Sequence, residues 1–177
     1  IHINKTWASI GIEKHKDKHG RWCSVTLIGD KNRKITVINA YRVGNNTIEK
    51  AGGSTVWFQE YTLLLENGLK NPDPRQQILD DMEQYINDIK EDPDHEFVIF
   101  IDANESTQRK GKSRIKNFIQ NIGGMDAHHH QHASLPPTPT HIRGSDQIDY
   151  CIISPKLAQF VLRAGILPIG YAIMGDH

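Results

Sequence analysis

This sequence of 177 residues has little cysteine, no excess charge of either sign and no long apolar run. Its two cysteines, Cys23 and Cys151, have neither the spacing of a disulfide framework nor that of a CxxC metal site, which favours a reducing compartment over secretion. A formal net charge of +0 argues against a polybasic tail that would bind nucleic acid nonspecifically. No stretch approaches the ~20 apolar residues of a membrane span, and the first residues lack the pattern of a signal peptide. We therefore expect an intracellular protein, with the nucleus as a candidate compartment, and no membrane partner.

Apolar residues make up 37% of the chain, enough for one core, so a single domain over residues 1–177 is the default. The apolar period changes repeatedly between two and about 3.6, which indicates both strands and helices. The pattern predicts strands over residues 6–13, 21–29, 34–41, 97–101 and 148–153, and helices over residues 55–69, from 74 onwards and over 113–122. Residues 123–145, rich in Gly, His, Pro and Thr, are predicted to form a long loop.

The order of these elements predicts the fold class. A hairpin-like start without strand-helix-strand alternation favours a mixed α/β (α+β) fold, in which two mostly antiparallel or mixed sheets pack together and are flanked by helices. The continuous apolar run 97–101 predicts a strand buried on both faces, as in a four-layer α/β/β/α sandwich. Asp73 is predicted to cap the second helix, with Pro74 in its first position and Gln76 as capping-box partner.

Polar residues come at the ends of the predicted strands. A period of two places Asn39 and Tyr41 at the end of one strand, and Asp102 and Asn104 at the end of another. Asp149 begins the strand 148–153, so antiparallel placement would bring it to the same edge as Asp102. The sequence therefore predicts one shared polar site where the apolar core ends.

The residue types at this edge suit phosphate-ester hydrolysis. Asp176 stands beside His177, Asp149 is a second carboxylate that could orient this histidine, and Asp102 and Asn104 end a strand. Such side chains can cleave a phosphate ester with water and a divalent cation. Because the candidate ligands are oxygens, we expect Mg²⁺ as the cofactor, with Mn²⁺ as the alternative.

Four short motifs stand in an order known from one protein family: Ile38-Asn39-Ala40-Tyr41-Arg42, Ile101-Asp102-Ala103-Asn104, Gln147-Ile148-Asp149-Tyr150 and Gly175-Asp176-His177. On these motifs the chain resembles the endonuclease/exonuclease/phosphatase superfamily, which includes deoxyribonuclease-like and abasic-site endonucleases and inositol phosphatases. With Gly20-Arg21-Trp22, a two-helix insertion and Arg143-Gly144-Ser145, it is most similar to endonuclease modules encoded beside reverse transcriptase in retroelements.

The resemblance implies a magnesium-dependent phosphodiester hydrolase that nicks DNA and is fused to, or encoded beside, a reverse transcriptase. It assigns the attacking water to Asp102, and the phosphate or that water to Asn104. His177 would contact the phosphate and stabilise charge on its oxygens, with Asp149 holding the histidine in orientation. No obligate protein partner is inferred.

Two further roles and two departures follow from the same resemblance. Tyr41 would donate a hydrogen bond to the phosphate, and Asp176, together with Asp102, would hold the metal or its water shell. The family normally supplies a metal-binding glutamate before the point where this sequence begins, and Glu13 lacks the Gln-Glu pattern of that ligand. The family's closing strand would follow His177. We therefore expect a partial domain, incomplete at both ends, that binds Mg²⁺ weakly and cleaves slowly.

A run of cations follows Asn104 without an acidic residue between positions 107 and 120: Arg109, Lys110, Lys112, Arg114 and Lys116. Charge runs commonly form a solvated face, but this one begins at the predicted site, which favours contact with a phosphate backbone. Arg42 and Arg143 are further candidates for nucleic-acid contact, with surface salt bridges as the alternative.

Several plainer interpretations stay open. Asp102 and Asn104 also suit a strand-end turn, Tyr41 an interfacial aromatic position, and Asp149 a turn cap. Residues 176–177 could form a frayed tail. The histidines at positions 128–130, 132 and 141 raise a zinc hypothesis, but without cysteine or regular helical spacing a solvated loop is the simpler interpretation.

Two other functions compete with DNA cleavage. A phosphatase of the same fold could act on a small phosphorylated molecule or a lipid headgroup if the rim of the site is narrow or acidic. A catalytically dead remnant that binds nucleic acid would also retain the motifs.

Overall fold

The computed structural model describes residues 12–109 and 111–167, which form a mixed α/β fold, as predicted. The strands are β1 (Ile12–Lys16), β2 (Trp22–Ile28), β3 (Lys34–Tyr41), β4 (His95–Asp102), β5 (Met125–Asp126) and β6 (Asp149–Ile153). The helices are α1 (Val56–Glu66), α2 (Pro74–Lys90), α3 (Arg114–Asn121) and α4 (Ala127–Gln131), with 3₁₀ turns at Asp30–Asn32 and Pro155–Phe160. None of the helices in these ranges is long and apolar enough to cross a membrane.

The ends of the helices follow from their capping residues. The Asp73 side chain accepts hydrogen bonds from the backbone N–H groups of Arg75 and Gln76, and Pro74 occupies the first turn of α2, as predicted. The capping-box prediction for Gln76 is wrong, because the hydrogen bonds of the described residues include none from the Asp73 N–H to the Gln76 side-chain oxygen. Gln76 Nε2 donates to Asp80 Oδ1 at 2.8 Å. At the start of α3, Ser113 Oγ accepts from the N–H of Lys116.

All six strands belong to one sheet with the order β1-β2-β3-β4-β6-β5. Strands β3 and β4 are parallel and the other neighbours are antiparallel. A parallel pair needs a long crossover, which α1 and α2 provide between β3 and β4. This topology makes β3, β4 and β6 neighbours, so their polar ends meet at one edge.

One face of the sheet is buried beneath helices. Ile38, Ile99 and Ile152, from the three central strands, are each 0% exposed. Helix α2 covers them with a stripe of apolar side chains at helical spacing, and α3 adds Ile115 and Phe118: the α2 stripe consists of Ile78, Met82 and Ile86. Burial of this apolar area, at about 25 cal/mol per Å², is the main stabilising contribution of the core.

The opposite face is open over much of its area. Phe100 is 48% exposed and Ile35 36% exposed, whereas Phe97 and Ile99 on the same strand as Phe100 are buried. The prediction that residues 97–101 are buried on both faces is therefore wrong for the described structure, because no second layer covers Phe100 there. The described ranges contain no second sheet stacked on this face, and the four-layer sandwich stays a prediction.

The predicted loop 123–145 contains two regular elements. Gly124 lies so close to Ile152 that an added Cβ would be 2.7 Å from its Cγ2, and the close approach lets β5 pair with β6. Asp126 then caps α4 by accepting a hydrogen bond from the N–H of His128 at 3.1 Å. A two-residue strand and a five-residue helix are too short to produce a readable apolar period.

Candidate active site

Three polar residues form a row across the ends of three adjacent strands. Tyr41 is paired with Asp102 between β3 and β4, and Asp102 is paired with Asp149 between β4 and β6. Because directly paired residues project from the same face of a sheet, the row lies on the face opposite the helices. The predicted placement of Asp102 and Asp149 at one edge is therefore confirmed, and their chemical roles stay predictions.

Asn104 forms a tight turn directly beyond the row. Its backbone has φ of 48°, in the left-handed region that asparagine tolerates better than most residues. Its N–H donates to Asp102 Oδ1 at 3.2 Å, and its side-chain Nδ2 donates to the carbonyl of Arg42 at 2.8 Å. The turn thus fixes the Asp102 carboxylate and the Asn104 amide in relation to the end of β3.

The phenol of Tyr41 is half-exposed beside this turn. Partial burial raises the pKa of Tyr41, the negative charges of Asp102 and Glu60 raise it further, and a hydrogen bond with Asn104 opposes them. Since the ordinary pKa of a tyrosine is already near 10, the phenol stays protonated at neutral pH. Tyr41 can therefore donate a hydrogen bond to an anion placed over the row.

A buried ion-pair cluster of Arg42, Arg75 and Glu105 lies directly behind the turn. Arg42 Nη1 is 2.8 Å from Glu105 Oε2, and Arg75 Nη2 is 3.2 Å from the same oxygen. Arg42 also donates to the carbonyls of Arg75 and Ala103, and Arg75 donates to the carbonyl of Asn104 at 3.1 Å. The cluster therefore holds the backbone that carries Asn104.

The prediction that Arg42 contacts nucleic acid is wrong for this structure. Its side chain is 0% exposed, because the guanidinium is enclosed by the Glu105 carboxylate and backbone carbonyls. Burial, followed by the positive charge of Arg75, lowers the pKa of Arg42 to about 10, so it is still charged at neutral pH. Arg42 therefore acts as a structural cation beneath the site.

Asp149 is positioned by the loop that precedes β6. Thr140 Oγ1 accepts hydrogen bonds from the N–H groups of Ile148 and Asp149, at 2.9 and 3.1 Å. Gln147 Nε2 donates to Asp126 Oδ2 at 3.0 Å and to the carbonyl of Asp149 at 3.1 Å. These bonds fix the backbone of Asp149 at the start of β6.

The sequence analysis missed the structural roles of four buried polar residues of this region: Arg75, Glu105, Thr140 and Gln147. Glu105 directly follows Asn104, but a charged residue beside a motif is ordinarily solvated, and its burial depends on Arg75 from α2. Only the presence of Gln147 in the motif around Asp149 was a usable signal.

The cationic candidates are divided between two parts of the surface. Arg109 and Lys112 are exposed and line a polar cleft beside Glu105. Arg143 is exposed in the loop before β6. Lys110, Asp176 and His177 lie outside the described residues, so their predicted roles stay predictions.

The carboxylate oxygens of Asp102 and Asp149 and the side-chain amide oxygen of Asn104 are the ligand types that suit Mg²⁺ or Mn²⁺. Within residues 12–109 and 111–167 no group of three or more His, Cys, Asp or Glu side chains is placed to hold a metal ion. Asp102 and Asp149 fit Mg²⁺ as the one or two carboxylates that this ion commonly takes beside retained waters and substrate phosphate.

The histidine cluster and Glu13 gain no support as metal ligands from the described residues. The His128 and His132 rings lie 4.9 Å apart, but they belong to no three-residue metal group among the described residues, so the zinc hypothesis gains no support. Glu13 interacts electrostatically with Tyr85 and His95 on the helix-covered side of the sheet, away from the Tyr41–Asp102–Asp149 row.

No family model and no curated protein sequence matches this chain. Among solved structures, the human Nocturnin catalytic domain aligns with 76% of this chain and 41% of its own length, at 15% identity and a TM-score of 0.49. A beta toxin from Staphylococcus aureus aligns with 82% of this chain and 51% of its own, at 11% identity and a TM-score of 0.43. A β-hairpin deletion mutant of a beta toxin from the same organism gives 12% identity, 82% and 52% coverage, and a TM-score of 0.46.

The chain spans about half, or less, of the length of these solved structures. All three TM-scores are below 0.5 and all three identities below 25%, so the family assignment stays a resemblance that the four motifs carry.

Proposed function

We propose that this chain belongs to a metal-dependent phosphodiester hydrolase of the endonuclease/exonuclease/phosphatase type, and that its substrate is DNA. The observation that carries the proposal is the Tyr41–Asp102–Asp149 row, together with the Asn104 turn, whose N–H donates to the Asp102 carboxylate. The row gathers an acceptor for a water proton, a donor for a phosphate oxygen and a second carboxylate on one sheet edge. Three of the four sequence motifs thus converge in space.

Each residue of the site has a separate proposed role in the reaction. Asp102 accepts a proton from the water whose oxygen attacks phosphorus, while Asn104 holds Asp102 and the phosphate in relation to each other. Tyr41 donates a hydrogen bond to a phosphate oxygen as charge builds there. The bond from phosphorus to the leaving sugar oxygen then breaks, and that oxygen takes a proton from solvent. Asp149 is proposed to orient His177 towards the phosphate.

A Mg²⁺ ion would be held by Asp102 and Asp176, with Asp149 as a neighbouring carboxylate, and it would supply positive charge that offsets the charge on the phosphate. The buried Arg42–Glu105 pair contributes indirectly, because it keeps the Asn104 turn in place. The retroelement origin and a neighbouring reverse transcriptase are part of the proposal, and only the sequence motifs support them.

DNA is favoured as substrate by the exposed cations Arg109 and Lys112, which line the polar cleft beside the site. A second candidate substrate is a phosphorylated lipid, since a groove of about 1120 Å³ on the open face of the sheet leads to Asp102 and Asp149. Its walls include the apolar side chains of Phe100 and Phe160, which would suit an acyl chain better than a sugar-phosphate backbone.

The test measures nicking of supercoiled plasmid DNA with the protein in excess over the plasmid. It is run once with Mg²⁺ and once after a chelator has removed the ion. We expect slow nicking that chelator abolishes, and a loss of about 100-fold in Asp102→Asn and Asp149→Asn. Asp88→Asn, on the exposed side of α2, is the matched control and should nick at the rate of the unchanged chain.

Two results would contradict the proposal: nicking that survives chelator, or an Asp102→Asn variant as active as the control. Hydrolysis of a phosphorylated lipid in vesicles, without plasmid nicking, would favour the second candidate substrate.

A further inference from the structure

We propose that the polar cleft between α1 and the start of α3 binds one nucleotide of a DNA strand, with the base against Tyr61 and the phosphate at Arg109 and Lys112. This binding site rests on the proposed function for its substrate class, and it extends the candidate active site by a subsite that none of the four motifs includes.

The cleft has a volume of about 550 Å³, which is large enough for a nucleotide-sized ligand. Its walls come from the loop 45–49, from α1, from the start of α2 and from residues around the start of α3. A neighbouring depression of about 470 Å³ shares Arg75, Glu105 and Arg109 with the cleft and includes Asn104. The two depressions are therefore adjacent, and a strand whose scissile phosphate lies at Asn104 is proposed to continue into the cleft.

An aromatic pair forms one wall. The Trp57 and Tyr61 rings are stacked with centroids 5.2 Å apart and planes inclined by 11°. Trp57 is 9% exposed and supports the ring of Tyr61, which is partly exposed. Contacts between side chains four residues apart stabilise a helix, and this accounts for the packing of Trp57 against Tyr61. It does not account for the position of the pair on the wall of a polar cleft. An aromatic side chain held in this way is a stacking platform for a nucleobase.

The charges of the cleft favour an anion. None of the ion pairs formed by the described residues includes Arg109 or Lys112, whereas Arg114 is paired with Asp73. The carboxylate of Glu105 is already matched by two buried arginines behind the wall. The exposed carboxylate of Glu49 is therefore the acid in the cleft wall that these pairs leave unmatched.

The combination of cations and an aromatic ring selects the ligand. Inorganic phosphate or another bare anion would need the cations alone, and an acyl chain would need the apolar surface alone. A nucleotide needs both, since its phosphate is anionic and its base offers a flat face for stacking. None of the residues that line the cleft belongs to the Tyr41–Asp102–Asp149 row, so this subsite is proposed to hold the strand and not to take part in bond cleavage.

The experiment measures binding of a fluorescent single-stranded oligonucleotide by anisotropy, in chelator and in the Asp102→Asn background, so that hydrolysis plays no part. We expect Tyr61→Leu to weaken binding about tenfold and Tyr61→Phe to leave it nearly unchanged. Lys112→Ala should weaken binding several-fold and lower the salt slope by about one. The control Lys31→Ala should change neither, because Lys31 is exposed in the turn between β2 and β3, at the end of β3 opposite Tyr41.

A second probe separates stacking from any change in folding. On an oligonucleotide that consists of abasic sites, Tyr61→Leu and the parent protein should bind equally, because no base remains to stack. Equal losses on both oligonucleotides, or a Tyr61→Leu variant that binds the ordinary strand like the parent, would overturn the subsite. Normal binding and variant effects with no plasmid nicking would disprove hydrolysis while leaving the subsite intact.

Discussion

Two glutamates of this protein are almost equally buried and yet have opposite electrostatic properties. Glu105 is 6% exposed and Glu60 is 8% exposed. Burial raises the pKa of Glu105, but hydrogen bonds and charges from Arg42, Arg114 and Arg75 outweigh it, and the net pKa is lowered. Burial raises the pKa of Glu60 to about 7, because the charge of Arg21 offsets little of it and Glu60 Oε2 has no hydrogen-bond partner.

The comparison teaches that partners decide the state of a buried carboxylate at equal burial. Glu105 accepts from the Arg114 N–H at 2.7 Å as well as from two guanidinium groups, so both of its oxygens are occupied. It is therefore ionised and holds the Asn104 turn in place. Glu60, on α1, has a pKa of about 7, and its negative charge raises the pKa of Tyr41.

The largest effect is expected from removal of the Glu105 carboxylate. Glu105→Ala leaves Arg42 and Arg75 buried without their counter-charge, which should lower the free energy of unfolding by about 3–5 kcal/mol. Urea unfolding at pH 7 measures this loss. Glu105→Gln keeps the size of the side chain and should lose less. An Ala variant as stable as the parent would show that the two arginines do not depend on this carboxylate.

The stability that Glu105 contributes in its cluster with Arg42 and Arg75 should decrease as the pH falls. A carboxylate whose folded pKa is lowered stabilises the protein above its unfolded pKa, and this contribution is lost as the pH falls through the folded value. The stability difference between the parent and Glu105→Gln should therefore be constant at neutral pH and shrink below about pH 4.

Glu60→Gln should have the opposite effect on stability. A carboxylate with a raised folded pKa makes stability fall as the pH rises from the unfolded value of 4.5 to about 7, where the loss levels off. Replacement by neutral Gln removes this loss, so the variant should be more stable than the parent by roughly 2 kcal/mol at pH 8. Thermal unfolding at pH 8 and pH 4 measures the difference, which should vanish at pH 4. Destabilisation at pH 8 would reveal a partner for Glu60.

The smallest effect is expected at an exposed pair of the same chemistry. Arg114 is paired with Asp73, and their side chains are 43% and 44% exposed. Arg114→Ala should cost less than about 1 kcal/mol, because solvent screens both charges in the folded and unfolded states. Asp73 is left unchanged, since it also caps α2. A loss as large as that of Glu105→Ala would mean that exposure does not separate these two ion pairs.

The site residues whose position depends on local sequence were predictable, and those whose state depends on distant partners were not. Tyr41, Asp102, Asn104 and Asp149 were readable because each stands at the end of an apolar strand, where the period of two and the local residue order indicate both place and chemistry. Arg42 was readable as a motif residue, but its burial was not, because the carboxylate that balances it comes from Glu105 and the second guanidinium from α2. Glu60 fell on a predicted helix, with nothing in its spacing to indicate burial.

By itself the sequence determined where most of the strands and helices lie, although not β5 and α4, since apolar periods, the Asp73 cap and turn residues act over a few neighbouring positions. It also determined which residues end the strands of the candidate site. Only the tertiary structure decided the strand order that sets Tyr41, Asp102 and Asp149 side by side, and which sheet face the helices cover. It likewise decided which carboxylates are charged, because burial and ion pairing depend on side chains that are distant in sequence.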